Sequence, residues 1–192
     1  PCGRYSGGVV QIMSYPIMMF FSFVFGLIVG SFLNVCIYRL PLKKSIISPP
    51  SGCPACGERI RFYDNIPIIS YIILRGKCRR CGKPISMRYP FVELMTGLLS
   101  LAVFVNYPHC GQYLALFIFV SALMIITFID LDHQIIPDII SLPGIAAGLL
   151  ATVILSNIIA EYRISGYEIK WYDSIFGVLA GGGILYLIAV GL

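Results

Sequence analysis

Charged side chains are scarce in this sequence. Only 12% of its 192 residues are Asp, Glu, Lys or Arg, and 58% are hydrophobic, whereas about a quarter of the residues are charged in a typical soluble domain. A water-soluble fold of this size could not cover so much apolar surface with 14 basic and nine acidic residues. The same composition excludes a disordered chain, a collagen, a coiled coil and a small disulfide-stapled domain. It indicates an integral membrane protein.

The few basic residues are unevenly distributed. Eleven of the fourteen lie between positions 39 and 88. Because short loops rich in Lys and Arg stay on the cytoplasmic side of a membrane, we expect this segment to be cytoplasmic and the N-terminus to lie outside. Since apolar stretches flank the segment, topology explains its charge more simply than nucleic-acid binding does. No nucleic acid is expected as a partner.

Five stretches approach the length of about 20 apolar residues that a membrane-crossing helix needs. They are residues 16–38, 90–105, 113–129, 139–160 and 175–192. The sequence therefore predicts an all-α polytopic membrane protein with about five transmembrane helices and a loop between the first and the second. Its expected parts are the outer N-terminus with the first helix (1–38), the basic cytoplasmic loop (39–89) and the remaining helices (90–192).

Small residues recur at four-residue spacing in the first predicted span. They are Ser22, Gly26 and Gly30. Such a row lets another membrane helix approach closely.

Four of the seven cysteines form two knuckles of the same pattern within the basic loop. Each is a CxxC pair followed by glycine, at Cys53 and Cys56 and again at Cys78 and Cys81, with 21 residues between the pairs. Two such pairs favour tetrahedral Zn²⁺ bound by four thiolates, and the expected reducing compartment argues against disulfides. With no open coordination position, the metal is expected to be structural. Residues 63–67 and 68–74 between the knuckles are expected to supply a small apolar cluster over the site.

A group of carboxylates follows the third predicted span. Asp130, Asp132 and Asp138 are three of the nine acidic residues in the chain. Asp130 continues the apolar run without a break and is expected to be the most desolvated, which marks a functional site in a membrane protein. The plainer alternatives are that Asp132 only faces water and that Asp138 only begins the next helix. Aspartyl protease chemistry needs a second carboxylate, for which Glu93 is a weak candidate.

Several segments together resemble the type IV prepilin peptidases. They are residues 30–35 (GSFLNV), the two CxxC pairs, residues 88–97 (RYPFVELMTG), residues 129–133 (IDLDH) and Pro137-Asp138. The resemblance covers residues from about 26 to 143 in the family's order. It implies a bacterial inner-membrane aspartyl peptidase that removes the basic leader of prepilins and pseudopilins at the cytoplasmic face. Many members also methylate the new N-terminus with S-adenosylmethionine.

The resemblance assigns roles to particular residues. Asp130 matches the first catalytic aspartate, and the four cysteines match the zinc loop of the bifunctional members. The family's second aspartate lies in a Gly-x-Gly-Asp motif, which these 192 residues do not contain. The chain is therefore expected to be an inactive fragment of a longer enzyme. No glycine-rich nucleotide fingerprint points to a site for S-adenosylmethionine.

Two other interpretations remain open. In one, the chain is a non-enzymatic membrane anchor whose zinc loop recruits a cytoplasmic partner in pilus or secretion assembly. In the other, the protein retains the methyltransferase activity alone.

Overall fold

The computed structural model describes residues 8–135, 137–159, 172, 175–177, 179 and 180. Five α-helices form the framework of these residues. They are α1 (Gly8–Arg39), α2 (Ile69–Ile73), α3 (Arg88–Asn106), α4 (Cys110–His133) and α5 (Asp138–Ile159), with one 3₁₀ turn at Phe62–Asn65. The described residues contain no β-strand, only two isolated bridges in the loop between α1 and α3.

Three of the helices are long and apolar enough to cross a membrane. They are Tyr15–Arg39, Arg88–Asn106 and Cys110–His133, with mean hydropathies of 2.2, 1.4 and 2.6. They coincide with the first three predicted spans and confirm the polytopic all-α class. The fourth predicted span corresponds to α5. Within α5, Asp138–Gly148 is an apolar helical segment that is shorter than the three spans. The fifth, 175–192, lies mostly outside the described residues.

The chain divides into two compact units, Pro1–Pro137 and Asp138–Leu192. Helices α1, α3 and α4 and the loop that joins α1 to α3 belong to the first unit, and α5 belongs to the second. The second unit is described by α5 and by a few residues after it.

The close contact predicted for the small residues of the first span is present, and α3 is the partner. A Cβ atom added at Gly26 would lie 2.8 Å from the Cα of Gly97, and one at Gly30 would lie 2.8 Å from the Cα of Glu93. Only a residue without a side chain allows the two backbones to approach this closely.

Hydroxyl groups join the helices at the same interface. The Ser100 hydroxyl of α3 donates to the Ser22 carbonyl of α1 at 2.7 Å and lies 2.7 Å from the Tyr113 hydroxyl of α4. In lipid these groups have no water to bond, so partners on neighbouring helices hold the helices together. Nearer the other end of the helices, Leu33, Ile37, Val92 and Ile129 form a buried apolar cluster.

Two expectations about local structure differ from the structure. The residues from 68 to 74 do not form a buried cluster over the cysteines, because α2 has no buried residue. Asp130 and Asp132, which are expected to follow the third span, lie within the last turn of its helix, α4. The helix continues past the apolar run because its backbone hydrogen bonds do not depend on side-chain polarity.

Candidate functional site

The four cysteines of the two knuckles lie together. Their sulfur atoms are all within 4.8 Å of one another, and the sulfurs of Cys53 and Cys81 are 3.9 Å apart. Zn–S bonds of about 2.3 Å in a tetrahedron place neighbouring sulfurs about 3.8 Å apart. The four-cysteine site predicted from the CxxC spacing is therefore assembled with dimensions that fit Zn²⁺.

Matching backbone turns build the two knuckles. In the first knuckle, the Cys53 N–H donates to the Glu58 carbonyl at 2.9 Å, and the Gly57 N–H donates to the Cys53 carbonyl at 2.8 Å. In the second knuckle, the Cys78 N–H donates to the Lys83 carbonyl at 2.8 Å, and the Gly82 N–H donates to the Cys78 carbonyl at 2.9 Å. Gly57 and Gly82 have φ angles of 73° and 68°, in the left-handed region that glycine adopts without steric cost.

The first knuckle stabilises a thiolate. The backbone N–H groups of Ala55 and Cys56 lower the pKa of Cys53 to about 6. The backbone N–H of Glu58 lowers the pKa of Cys56, but partial desolvation and the thiols of Cys53 and Cys81 outweigh it and raise that pKa to about 11. A second thiolate beside the first is thus disfavoured unless a cation balances the charge, as a divalent metal ion does.

Polar contacts attach the loop that carries the knuckles to α1 and join parts of the loop to one another. Arg39, the last residue of α1, donates to the carbonyls of Ser45 and Pro49 at 2.8 and 2.7 Å. Arg79 of the second knuckle forms an ion pair with Asp64 at 2.6 Å. This bond fixes the 3₁₀ turn against the second knuckle.

A second attachment lies within the first turns of α3. The N–H of Ile68 donates to the Glu93 carboxylate at 2.8 Å, and the side-chain amide of Asn34 donates to the Tyr89 carbonyl at 3.0 Å. Ile68 has a φ of 59°, which is unusual for a β-branched residue and marks a backbone held in place by its surroundings. Glu93, only 8% exposed, therefore anchors the loop just before α2.

A cavity of about 690 Å³ lies between the knuckles and the adjoining parts of α1 and α3. Its size falls within the range of small-molecule sites. Its wall includes three tyrosines and the carboxylate that anchors Ile68, namely Tyr38, Tyr71, Tyr89 and Glu93. The tyrosines could not be identified as site residues from the sequence, because nothing in their spacing shows that a loop of this length folds back over the ends of two helices.

The carboxylates at the end of α4 have different partners. Arg88 forms an ion pair with Asp132 and donates to the Phe128 carbonyl at 2.9 Å. Asp130 is exposed and forms no ion pair with any residue that the structure describes. Neighbouring protein groups therefore do not supply the desolvation expected for Asp130.

The other two predicted acidic residues lie on other helices. Asp138 is the first residue of α5 and belongs to the second unit, where a carboxylate interacts favourably with the helix dipole. Glu93 accepts its hydrogen bond from Ile68, and no hydrogen bond joins it to Asp130 among the described residues.

Two family models match the chain. Residues 24–107 match the bacterial peptidase A24 N-terminal domain, and residues 117–192 match the type IV leader peptidase family. The first match contains the knuckles and the cavity, and the second contains Asp130.

Curated relatives carry corresponding names. A prepilin leader peptidase/N-methyltransferase of Myxococcus xanthus is 48% identical over 134 residues, which is 70% of this chain and 40% of that protein. One from Dichelobacter nodosus is 35% identical over 85% of this chain and 66% of its own length. A type 4 prepilin-like proteins leader peptide-processing enzyme of Escherichia coli O78:H11 is 35% identical over 92% of this chain and 77% of its own.

The chain spans only part of each of these relatives. It spans between 40% and 66% of the length of four curated relatives that it matches, less than two thirds of each. No solved structure shows a significant match.

Proposed function

Because the chain belongs to the type IV leader peptidase family, we propose that it is part of an aspartic endopeptidase that cleaves the basic leader of prepilins or pseudopilins. The reaction takes place at the cytoplasmic face of a bacterial inner membrane. In this topology the knuckles and the end of α4 lie on the cytoplasmic side, as the concentration of basic residues between positions 39 and 88 favours.

The observation that supports Asp130 as the catalytic aspartate is the different pairing of the two carboxylates in the last turn of α4. Arg88 neutralises Asp132, whereas Asp130 is exposed and has no ion-pair partner among the described residues. Asp130 is thus free to share a proton with a second carboxylate, which activates water in aspartyl proteases. The hydrophobic helix of the substrate would lie beside α4 within the membrane.

The charge of the substrate fits this end of α4. A basic leader would be repelled by the positively charged loop. The exposed carboxylate of Asp130 attracts it instead, as does Asp138 at the start of α5.

Asp130→Asn in the full-length protein tests the assignment. It should reduce leader cleavage to background, since an amide cannot exchange the proton. Asp132→Asn is the matched control, because its carboxylate pairs with Arg88, and it should retain substantial cleavage. Normal processing by Asp130→Asn, with the protein found in the membrane in normal amounts, would contradict the proposal.

We also propose that the cavity under the knuckles holds S-adenosylmethionine for methylation of the new N-terminus. Its volume of about 690 Å³ is the observation that carries this second activity. Tyrosine faces attract a sulfonium cation, and the cavity presents three tyrosines. The buried carboxylate of Glu93 would receive the amine of the cleaved pilin. Bound in the cavity, the cofactor would supply the methyl group.

The two activities should separate in variants of the full-length protein. Glu93→Gln should lower methylation of a cleaved pilin peptide about 10- to 150-fold, which corresponds to the ~1.5–3 kcal/mol of a hydrogen bond to a charged group. The same variant should leave leader cleavage intact. Asp130→Asn should show the reverse. Equal loss of both activities in Glu93→Gln, or undiminished methylation, would contradict this role of the cavity. Zinc content and binding of radiolabelled S-adenosylmethionine report whether the cavity is intact.

Zinc has a structural role in this proposal. The four thiolates would hold the ion, and its chemistry would be to fix the two knuckles that cover the cavity. Cleavage at Asp130 would not require it.

A further inference from the structure

Helix α2 presents three isoleucines outward. Ile69, Ile72 and Ile73 are 55%, 67% and 68% exposed. Their spacing of three and four residues places them on one helical face. Three adjacent β-branched apolar side chains on a helix with no buried residue do not stabilise the loop through packing. The described residues therefore leave this isoleucine face largely uncovered.

The depth of α2 along the bundle indicates what lies opposite that face. The residue before it, Ile68, donates its N–H to Glu93, and Glu93 lies five residues inside α3. At 1.5 Å per residue, this point is about 7.5 Å along the axis from the start of α3 at Arg88. Because α3 is one of the membrane-crossing helices, α2 begins beside the terminal turns of a span and not in bulk solvent.

The charge around the isoleucine face is positive. Eleven basic against two acidic residues between positions 39 and 88 give this segment a net charge of +9. Arg75 and Lys77, which directly follow α2, are exposed and form no ion pair with a described residue. An apolar face flanked by Lys and Arg at this depth is typical of a segment that binds the surface of an anionic membrane.

From these observations we propose that the isoleucine face of α2 contacts the lipid leaflet and that the leaflet it recognises is anionic. The isoleucines lie at the boundary between headgroups and acyl chains, and Arg75 and Lys77 interact with headgroup phosphates. The loop is already connected to the membrane at both ends, by α1 and α3. Contact through α2 adds a third attachment and holds the knuckles against the membrane surface. The proposal rests on the membrane fold and does not require the peptidase or methyltransferase assignments.

Quenching of tryptophan fluorescence by brominated lipid tests the contact. Ile72→Trp is prepared in the full-length protein with the single tryptophan of this chain, Trp171, changed to phenylalanine, and other tryptophans of the full-length protein are replaced in the same way. The protein is reconstituted in phosphatidylcholine vesicles with or without phosphatidylglycerol. We expect strong quenching at position 72, stronger with phosphatidylglycerol and reduced by high salt.

Tyr71→Trp is the matched control on α2. The Tyr71 hydroxyl donates to the Ile85 carbonyl at 3.2 Å, so this side chain points into the loop, and a tryptophan there should be quenched weakly. If the Ile72→Trp protein does not retain zinc, Ile69→Trp is used instead, because Ile69 lies on the same isoleucine face. Quenching no stronger on the isoleucine face than at position 71 would overturn the proposal, because that face would then be covered by protein or exposed to water. Equal quenching with and without phosphatidylglycerol would overturn the recognition of anionic lipid.

Discussion

Gly26→Ala is a sensitive test of the contact between α1 and α3. The added Cβ would lie 2.5 Å from the Cβ of Ser100 and 2.8 Å from the Cα of Gly97 and the carbonyl oxygen of Thr96. Non-bonded carbon atoms prefer separations of about 3.5–4.0 Å. Two of the opposing atoms belong to the backbone, so a change of rotamer cannot relieve the overlap. We therefore expect the two helices to separate by about 1 Å.

The expected cost combines two effects. Overpacking of a close contact costs about 1–3 kcal/mol. The separation also stretches the hydroxyl contacts between Ser22 and Ser100, now 2.7 and 3.1 Å, and each such bond between membrane helices contributes about 0.6 kcal/mol. The higher helix propensity of alanine returns up to ~1 kcal/mol. The free energy of unfolding should fall by about 1–3 kcal/mol.

Reversible unfolding by sodium dodecyl sulfate in mixed micelles measures this difference. Gly111→Ala in α4 is the matched control, because nothing lies within 4 Å of a Cβ added there. It should be neutral or slightly stabilising. If Gly26→Ala is as stable as Gly111→Ala, the helices do not pack as closely as described.

Three further predictions concern other contacts. Arg88→Ala should destabilise the protein by about 1–2 kcal/mol in the same unfolding assay, because it removes a half-exposed ion pair to Asp132 and a hydrogen bond to the Phe128 carbonyl. A loss of stability smaller than the error of the assay would contradict this prediction. Cys53→Ser should lower bound zinc toward zero in elemental analysis. Cys110 is an exposed cysteine outside the knuckles, so Cys110→Ser should keep a full equivalent of zinc. One zinc per chain in Cys53→Ser would exclude the four-cysteine site. Ser100→Ala should cost about 0.6–2 kcal/mol, because its hydroxyl joins α3 to α1 and α4; an unchanged midpoint would show that these hydroxyls do not hold the bundle.

Composition and short-range spacing predicted the features that depend on neighbouring residues in the chain. Apolar runs located the three long helices, since a span must be apolar over its whole length. The four-residue spacing of Gly26 and Gly30 predicted a close helix contact, and the CxxC pairs predicted the thiolate cluster.

Features that depend on how distant segments meet could not be predicted. The carboxylate of Glu93 indicated a polar site within a span, but not that it accepts a hydrogen bond from a residue 25 positions earlier. Arg88 belonged to the basic loop, and nothing local showed that it pairs with a residue 44 positions later. The isoleucines of α2 are expected to pack over the cysteines, but they are exposed. Their exposure reflects the tertiary position of the loop.

The first turns of α3 connect the parts of the molecule to which the two proposed activities are assigned. Arg88 holds the last turn of α4, where Asp130 lies. One residue later, the Tyr89 carbonyl accepts the hydrogen bond from α1, and Glu93 fixes the loop that carries the knuckles. These contacts lie within six consecutive residues, and a single helix end thereby positions both the aspartate and the cavity wall. A change in the loop thus reaches α4 through α3 and α1, whose close packing against each other permits little movement. The separate effects expected of Glu93→Gln and Asp130→Asn follow from this rigidity, because each side chain can be altered while the helix that positions both sites stays in place.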